Sequence, residues 1–294
     1  MNEHEGFNSR IFEALAISLK PLPLISSRRN PLVRRLKALA ARAGREKLSS
    51  FLLEGTHLLL EALNTSYFPS EIIATTSWID SHKDVLGTFP ANAQLLEVTD
   101  LVLKAALTTQ NPDGVASILP LNALPKIDKP ANFVLALDRV QDPGNLGNLF
   151  RTALAAEVEV IWLASGVDPL SPKVLRASSG AVLHLPYERH GYSEESAIEE
   201  LVANLNRALL DGFQVLGTVL PRSSMEELSV PYWEIDWTKP TVLVLGNEGA
   251  GIHPRIKDCC THGITLPHSL KVDSLNVASA AVPLLLERRR AKMS

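Results

Sequence analysis

The stretch PHSLKVDSLNVASAAVPLLLERRR, residues 267–290, runs from a polar loop straight into an apolar helix with no glycine-rich hinge between them. Asp273 and Ser274 each offer a short oxygen-bearing side chain that can accept the free N–H groups of a first helical turn, which predicts the helix start there. Leu275, Val277, Ala280 and Ala281 then form its buried face. The charged residues 287–290 make a solvated end of the sign that the helix dipole favours at a C-terminus. By itself this is a capped amphipathic helix and specifies no chemistry.

Two other segments share its character, an apolar strand that breaks into a loop of small and amide residues: LALDRVQDPGNLGNLFRT (135–152) and TVLVLGNEGAGIHPRI (241–256). In order and spacing, the three resemble the motifs of the SpoU (TrmH-type) RNA ribose methyltransferases of the SPOUT superfamily. Asn145, Gly147 and Arg151 carry the first motif. Gly246, Asn247, Glu248, Gly249 and Gly251 carry the second, and Ser274, Leu275, Asn276 and Val277 the third. The likeness is dense over the C-terminal half and sparser over residues 26–118.

That resemblance implies an α/β fold with a mostly parallel sheet, whose C-terminal helix threads a trefoil knot holding S-adenosylmethionine, and a homodimer. It assigns cofactor contacts, largely through backbone, to Gly246, Leu266 and Leu275. It places Asn145 and Arg151 at the reaction centre. Glu248 would order Arg151 or the loop, and Ser274 and Asn276 would position the acceptor hydroxyl. An arginine is a poor general base because its guanidinium stays protonated. Arg151 is therefore read as gripping the target phosphate and stabilising the developing alkoxide, with the family's proposal that it accepts the proton left open. His268, Ser269, Leu270 and Lys271 depart from the family, which commonly has a methionine and a glycine in that loop. Pro283 falls inside the helix, where proline costs about 3 kcal/mol and produces a kink.

Read without the resemblance, the residues allow less. Gly144 and Gly147 follow a strand and precede a helix, as in a nucleotide-binding loop, yet the full G-x-G-x-x-G spacing of a nicotinamide-nucleotide enzyme is absent. Asn145 could cap that helix, Arg151 could form a salt bridge, and residues 246–251 could be a plain turn. A catalytically silent RNA-binding protein of the same fold is the other alternative, and the joint presence of Asn145, Arg151, Glu248, Ser274 and Asn276 speaks against it. Phe150 is the only aromatic side chain among the three motifs, and no cysteine lies near Arg151. The set suits phosphate and sugar hydroxyls rather than a stacked base, so a ribose 2′-hydroxyl in structured RNA is the expected acceptor, ribosomal RNA before tRNA.

The chain has 294 residues, 46% of them hydrophobic, enough for two domains with cores of their own. No apolar run approaches the ~20 residues of a membrane helix, and the acidic start with Glu3, Glu5 and Glu13 does not read as a signal peptide. A cytoplasmic protein is expected. Cys259 and Cys260 are adjacent, which disfavours a disulfide. With His253, His262 and His268 they match no recurrent zinc spacing, so no metal is expected. The net charge is −3, but Arg28, Arg29, Arg34, Arg35, Lys37, Arg42, Arg45 and Lys47 crowd one segment against Glu46 alone. A local basic face of this kind fits a phosphate-binding surface as well as it fits a solvated helix. Arg28, Arg29, Arg34, Arg35 and Arg42 are the candidate RNA contacts.

Four segments follow. Residues 1–25 read as a flexible tail, disordered or loosely docked. Residues 26–118 resemble the small ribosomal-protein-like α/β domain with which many SpoU enzymes bind RNA. Residues 119–131, with Pro120, Pro125 and Pro130, read as a linker, and 132–294 as the methyltransferase domain. In the first domain the spacing predicts a helix from Asn30-Pro31 to Gly44, a strand at 51–55, a helix at 57–63, a strand at 72–74, a turn at 110–114 and a strand at 115–119. In the second, strands are expected at 133–137, 158–164, 213–220 and 241–245, an extended piece at 184–187, and helices at 149–156, 173–181 and 194–210.

Overall fold

Asn30 and Pro31 start the first helix as their chemistry suggests: Asn30 Oδ1 accepts the Leu32 N–H at 2.9 Å and proline fills the first turn, where an N–H has no partner. The computed structural model describes residues 23–65, 67–90, 93–219, 229–269 and 271–293. Most of the expected 1–25 tail, and Leu270, lie outside them. The chain divides into two compact units, Met1–Ala123 and Leu124–Ser294.

In the first unit, helix α1 (Pro31–Leu39) buries Leu32, Val33, Leu36 and Leu39. It stops well short of Gly44, which lies inside a separate helix α2 (Arg42–Leu48). A Cβ on Gly44 would sit 1.9 Å from the Ala38 carbonyl oxygen, so this glycine permits a tight crossing of two helices and terminates neither. Arg45 is buried at that corner and donates to the carbonyls of Leu39 and Ala40 at 2.9 and 3.0 Å, closing the end of α1. The chain continues through β1 (Ser50–Glu54), α3 (Thr56–Asn64), β2 (Glu71–Thr75), α4 (Thr76–Ser81), α5 (Lys83–Leu86), β3 (Gln94–Val98), α6 (Asp100–Ala106) and β4 (Val115–Pro120). The sheet order is β1-β4-β2-β3, with β4 antiparallel to both neighbours and β2 parallel to β3. Strand β4 takes in Leu119 and Pro120, at the start of the expected linker, and the units part after Ala123.

The second unit comprises β5 (Phe133–Asp138), α7 (Pro143–Ala155), β6 (Val160–Ala164), α8 (Pro172–Ala177), β7 (Tyr187–His190), α9 (Glu194–Leu210), β8 (Gln214–Thr218), β9 (Ser229–Pro231), β10 (Thr241–Leu245), α10 (Pro254–Lys257), β11 (His262–Thr265) and α11 (Val277–Met293). The seven strands run in the order β7-β6-β5-β10-β8-β11-β9, each parallel to its neighbours. Strands β5 and β10 are buried along their whole length, as continuous apolar runs under helices must be. Four expectations shift. The helix expected at 149–156 begins six residues earlier, at Pro143, because Asp142 caps it there. Ser179 and Gly180, both with positive φ, break the helix expected at 173–181 after Ala177. The extended piece expected at 184–187 becomes a strand only from Tyr187. Helix α11 starts at Val277 rather than beside Asp273 or Ser274, because Asn276 Oδ1 accepts the N–H groups of Ala278 and Ser279 at 3.0 and 3.1 Å. Leu275 therefore lies before the helix and is 41% exposed, and the buried stripe is Ala278, Ala281, Leu284, Leu285 and Arg288.

Candidate cofactor cleft and reaction centre

At the carboxyl end of β5, Asp138 is fully buried and engages the Arg139 guanidinium at 2.8 Å and the His253 N–H at 2.6 Å. Arg139 turns the chain with a φ of 55°, and its carbonyl accepts Asn247 Nδ2 at 2.9 Å. The loops that follow β5 and β10 are thus tied together at their roots. Asp142 caps α7 by accepting the Asn145 N–H at 2.8 Å. Asn145 is therefore not the cap, and its side chain is free for other partners.

Those partners are the other two motifs. Asn145 Nδ2 donates to Glu248 Oε1 at 3.0 Å, and Asn276 Nδ2 donates to Asn145 Oδ1 at 2.8 Å. The N–H groups of Gln141 and Asp142 also point at the Glu248 carboxylate, each at 3.3 Å. Burial pushes the Glu248 carboxyl up, but the hydrogen bond from Asn145 and those from the backbone outweigh it and hold the group below its ordinary value. Glu248 is an ionised anchor at neutral pH. Arg151, on α7, and Ser274 are exposed and have no hydrogen-bond or ion-pair partner among the described residues.

Beside this relay lies a half-open cleft at the carboxyl ends of β8, β10 and β11, where ligands of open parallel sheets bind. Val219, Ile252, Ile264, Leu266, Leu275 and Val277 are its apolar lining, and Asn247, Glu248, His268 and Ser274 its polar lining. All three expected cofactor residues, Gly246, Leu266 and Leu275, line it. The glycines divide by role. A Cβ on Gly246 would sit 2.4 Å from Gly251 C and Ile252 N, so its smallness serves the folding of its own loop. A Cβ on Gly251 would meet nothing within 4 Å, and one on Gly249 only Asn247 Oδ1 at 3.7 Å, so bare backbone is what this loop offers a ligand. An apolar slot for a purine beside accessible peptide groups fits S-adenosylmethionine.

In the first unit, Arg34, Arg35 and Lys47 line an open groove together with Glu71. Arg35 is committed there to Glu71, with Nη1 donating at 2.7 Å, and Arg42 to Glu46 at 2.7 Å. Arg28, Arg29 and Arg34 are exposed, and their guanidinium groups have no partner among the described residues. The composition of the segment did not distinguish these two groups. Nor did it single out Asp138, Arg139, Gln141 or Asp142, whose one visible signal was their place in the loop that leads to Asn145.

The SpoU rRNA Methylase family pattern matches residues 132–285, and an MRM3-like substrate binding domain matches residues 30–117. The chain is similar to an uncharacterized tRNA/rRNA methyltransferase of Synechocystis sp., with 37% identity over 90% of this chain and 93% of that one. It is 31% identical to the 23S rRNA (guanosine(2553)-2′-O)-methyltransferase RlmP of Bacillus subtilis, over 90% of this chain and 98% of the relative. Among solved structures, the AdoMet-bound rRNA methyltransferase from Sinorhizobium meliloti superposes with a TM-score of 0.74 at 29% identity, covering 92% of this chain and 98% of that one. The α/β fold with its mostly parallel sheet is that of a SPOUT methyltransferase. The chain belongs to the SpoU rRNA methylase family and transfers a methyl group from S-adenosylmethionine to a ribose 2′-oxygen of RNA.

Proposed function

We propose that the substrate is ribosomal RNA, that the cleft between residues 218 and 280 holds the cofactor, and that Asn145, Arg151, Glu248, Ser274 and Asn276 form the reaction centre. The observation that carries this reading is the Asn276–Asn145–Glu248 relay, which joins one polar residue from each motif beside the cleft. The RlmP relative is named for 23S rRNA and matches over nearly its whole length, which favours ribosomal RNA over tRNA.

When bound, S-adenosylmethionine supplies a methyl group on a positively charged sulfur. The chain's task is to hold a poor nucleophile in line with that carbon, and orientation of this kind accounts for several kcal/mol of barrier. Asn276 and Glu248 fix the Asn145 amide from both ends. Arg151, exposed and without a partner among the described residues, grips the phosphate beside the target ribose and steadies charge on the 2′-oxygen as its proton leaves. Ser274 donates to or accepts from that hydroxyl. The bare Gly249–Gly251 backbone and the peptide groups around Leu266 and Leu275 hold the cofactor, in the knot that the family resemblance implies.

Arg28, Arg29 and Arg34 in the first unit contact RNA phosphates. A homodimer is supported by apolar side chains left outside on α7 and α11, with Leu154, Val282 and Leu286 each more than a third exposed. No helix among the described residues is long and apolar enough to cross a membrane. Action in the cytoplasm is part of this proposal and rests on the ribosomal RNA substrate. The test incubates the enzyme with methyl-labelled cofactor and ribosomal RNA or tRNA from a deletion strain, maps the label, and then replaces the mapped nucleotide by its 2′-deoxy analogue. Label is expected in ribosomal RNA and lost with the 2′-hydroxyl. Continued methylation of the deoxy nucleotide would overturn the reaction centre as drawn.

A further inference from the structure

His268 stands in the loop that departs from the family pattern, and it lines the cleft together with Val219, Ile264 and Leu266. Its Nδ1 lies 2.7 Å from the Leu266 carbonyl oxygen. A carbonyl oxygen can only accept, so Nδ1 carries the proton, and in the neutral imidazole Nε2 is then an acceptor. That nitrogen has no partner among the described residues. A thioether at this place could supply only a weak acceptor.

From this fixed tautomer we infer that His268 Nε2 is a specificity-determining contact for the cofactor, accepting a hydrogen bond from the exocyclic amine of the adenine ring. The inference rests on the cleft being the cofactor site. The amine is the donor group carried by the flat, apolar part of the ligand, the part suited to the Val219, Ile264 and Leu266 lining. The methionine part of the ligand carries a second donor, its ammonium, which suits the polar lining at Asn247, Glu248 and Ser274. A 6-oxo purine presents an acceptor where adenine presents a donor, and would set two lone pairs against each other at Nε2. The enzyme should therefore distinguish the two bases through this side chain.

The experiment is calorimetric binding of S-adenosylhomocysteine and of its inosine counterpart to the full chain without RNA, for the native protein, His268→Met and His268→Gln. A net hydrogen bond of about 1 kcal/mol corresponds to a roughly fivefold change in affinity. The native protein is expected to prefer the adenine form, and His268→Met to shrink that preference by about fivefold or more with an unaltered melting temperature. His268→Gln, whose amide can turn either its oxygen or its nitrogen to the base, should bind the two forms with nearly equal affinity. An adenine-to-inosine ratio unchanged in His268→Met overturns the contact while leaving the cofactor site standing. If the penalty appears instead with a cofactor analogue lacking the amino-acid ammonium, the partner is the ammonium and the inference fails. Failure of the native protein to bind either form would remove the cleft itself, and the inference with it.

Discussion

Asn276 spends both ends of its side chain, the oxygen on the first turn of α11 and the nitrogen on Asn145. Asn145 passes the constraint on to Glu248, so three short polar side chains from three distant parts of the sequence fix one another's orientation. Glu248 is the acceptor at the end of the relay, and its folded-state pKa lies below its ordinary value. The anchor is therefore complete above the ordinary carboxylate range and is lost only as pH falls through the depressed folded value. Glu248→Gln puts an N–H donor where the Gln141, Asp142 and Asn145 donors converge, and should lower single-turnover methyl transfer about 10²-fold by misplacing the reaction centre. The ratio of native to variant rates should stay flat between about pH 5.5 and 8.5, well above the range where carboxylates titrate; a ratio that changes across that window would mean Glu248 exchanges a proton in the reaction. Arg151, by contrast, has no partner among the described residues. Arg151→Ala should lose roughly 10²- to 10³-fold in the chemical step, the usual cost of one transition-state charge contact, with calorimetric affinity for S-adenosylhomocysteine unchanged. The residue types in this site were legible from the sequence because their spacing matched a family. Their bonds were not, since Asp142 or Asn145 could equally have capped α7 on local grounds and only the distant carboxylate of Glu248 decides between them.

At the scale of elements, sequence was informative wherever local forces act alone. Helix α9 has a Ser193 cap, two acids in its first turn and an apolar face of regular period, and β10 is an uninterrupted apolar run; both stand where the pattern places them. Strands β9 and β11 are too short to leave a period, and they exist because β11 pairs with β8 and with β9. The start of α11 moved for the same reason, since Asp273, Ser274 and Asn276 are similar caps and a partner on α7 selects the third. Glycines make this scale testable. A methyl group on Gly147 would press within 2.4 Å of Ala177 Cβ and 2.8 Å of the Ser178 nitrogen, where α7 crosses α8. Gly147→Ala should cost about 1 to 3 kcal/mol as overpacking, seen as a lower melting temperature. The turnover number should fall as well, because α7 carries Asn145 and Arg151, while cofactor affinity holds. Gly246→Ala should also lower the melting temperature, but it should weaken cofactor binding as well, because the Gly251–Ile252 backbone must move aside. Equal effects of the two variants on cofactor affinity would contradict this division of labour.

At the scale of the whole molecule, the net charge of −3 conceals two kinds of arginine. Arg35 and Arg42 already have carboxylate partners in Glu71 and Glu46, so an approaching phosphate would have to compete with a formed ion pair. Arg28, Arg29 and Arg34 are exposed, and their charge has no partner among the described residues. Each phosphate contact releases condensed counterions, so the slope of log affinity against log salt counts contacts at about 0.7 to 0.9 per contact. Filter binding of a ribosomal RNA fragment over a salt series should therefore give an Arg28→Gln, Arg34→Gln double variant a slope shallower by roughly 1.4 to 1.8, with affinity lower at every salt concentration. Arg42→Gln should leave the slope as it is, since the charge it removes was neutralised within the protein. Cofactor affinity, measured alongside, should be the same in all three proteins, because the substitutions lie in the other compact unit. Equal slopes for the double variant and the native protein would show that these arginines face solvent only, and the RNA surface of the first unit would then have to be sought elsewhere than on α1 and the turn before it.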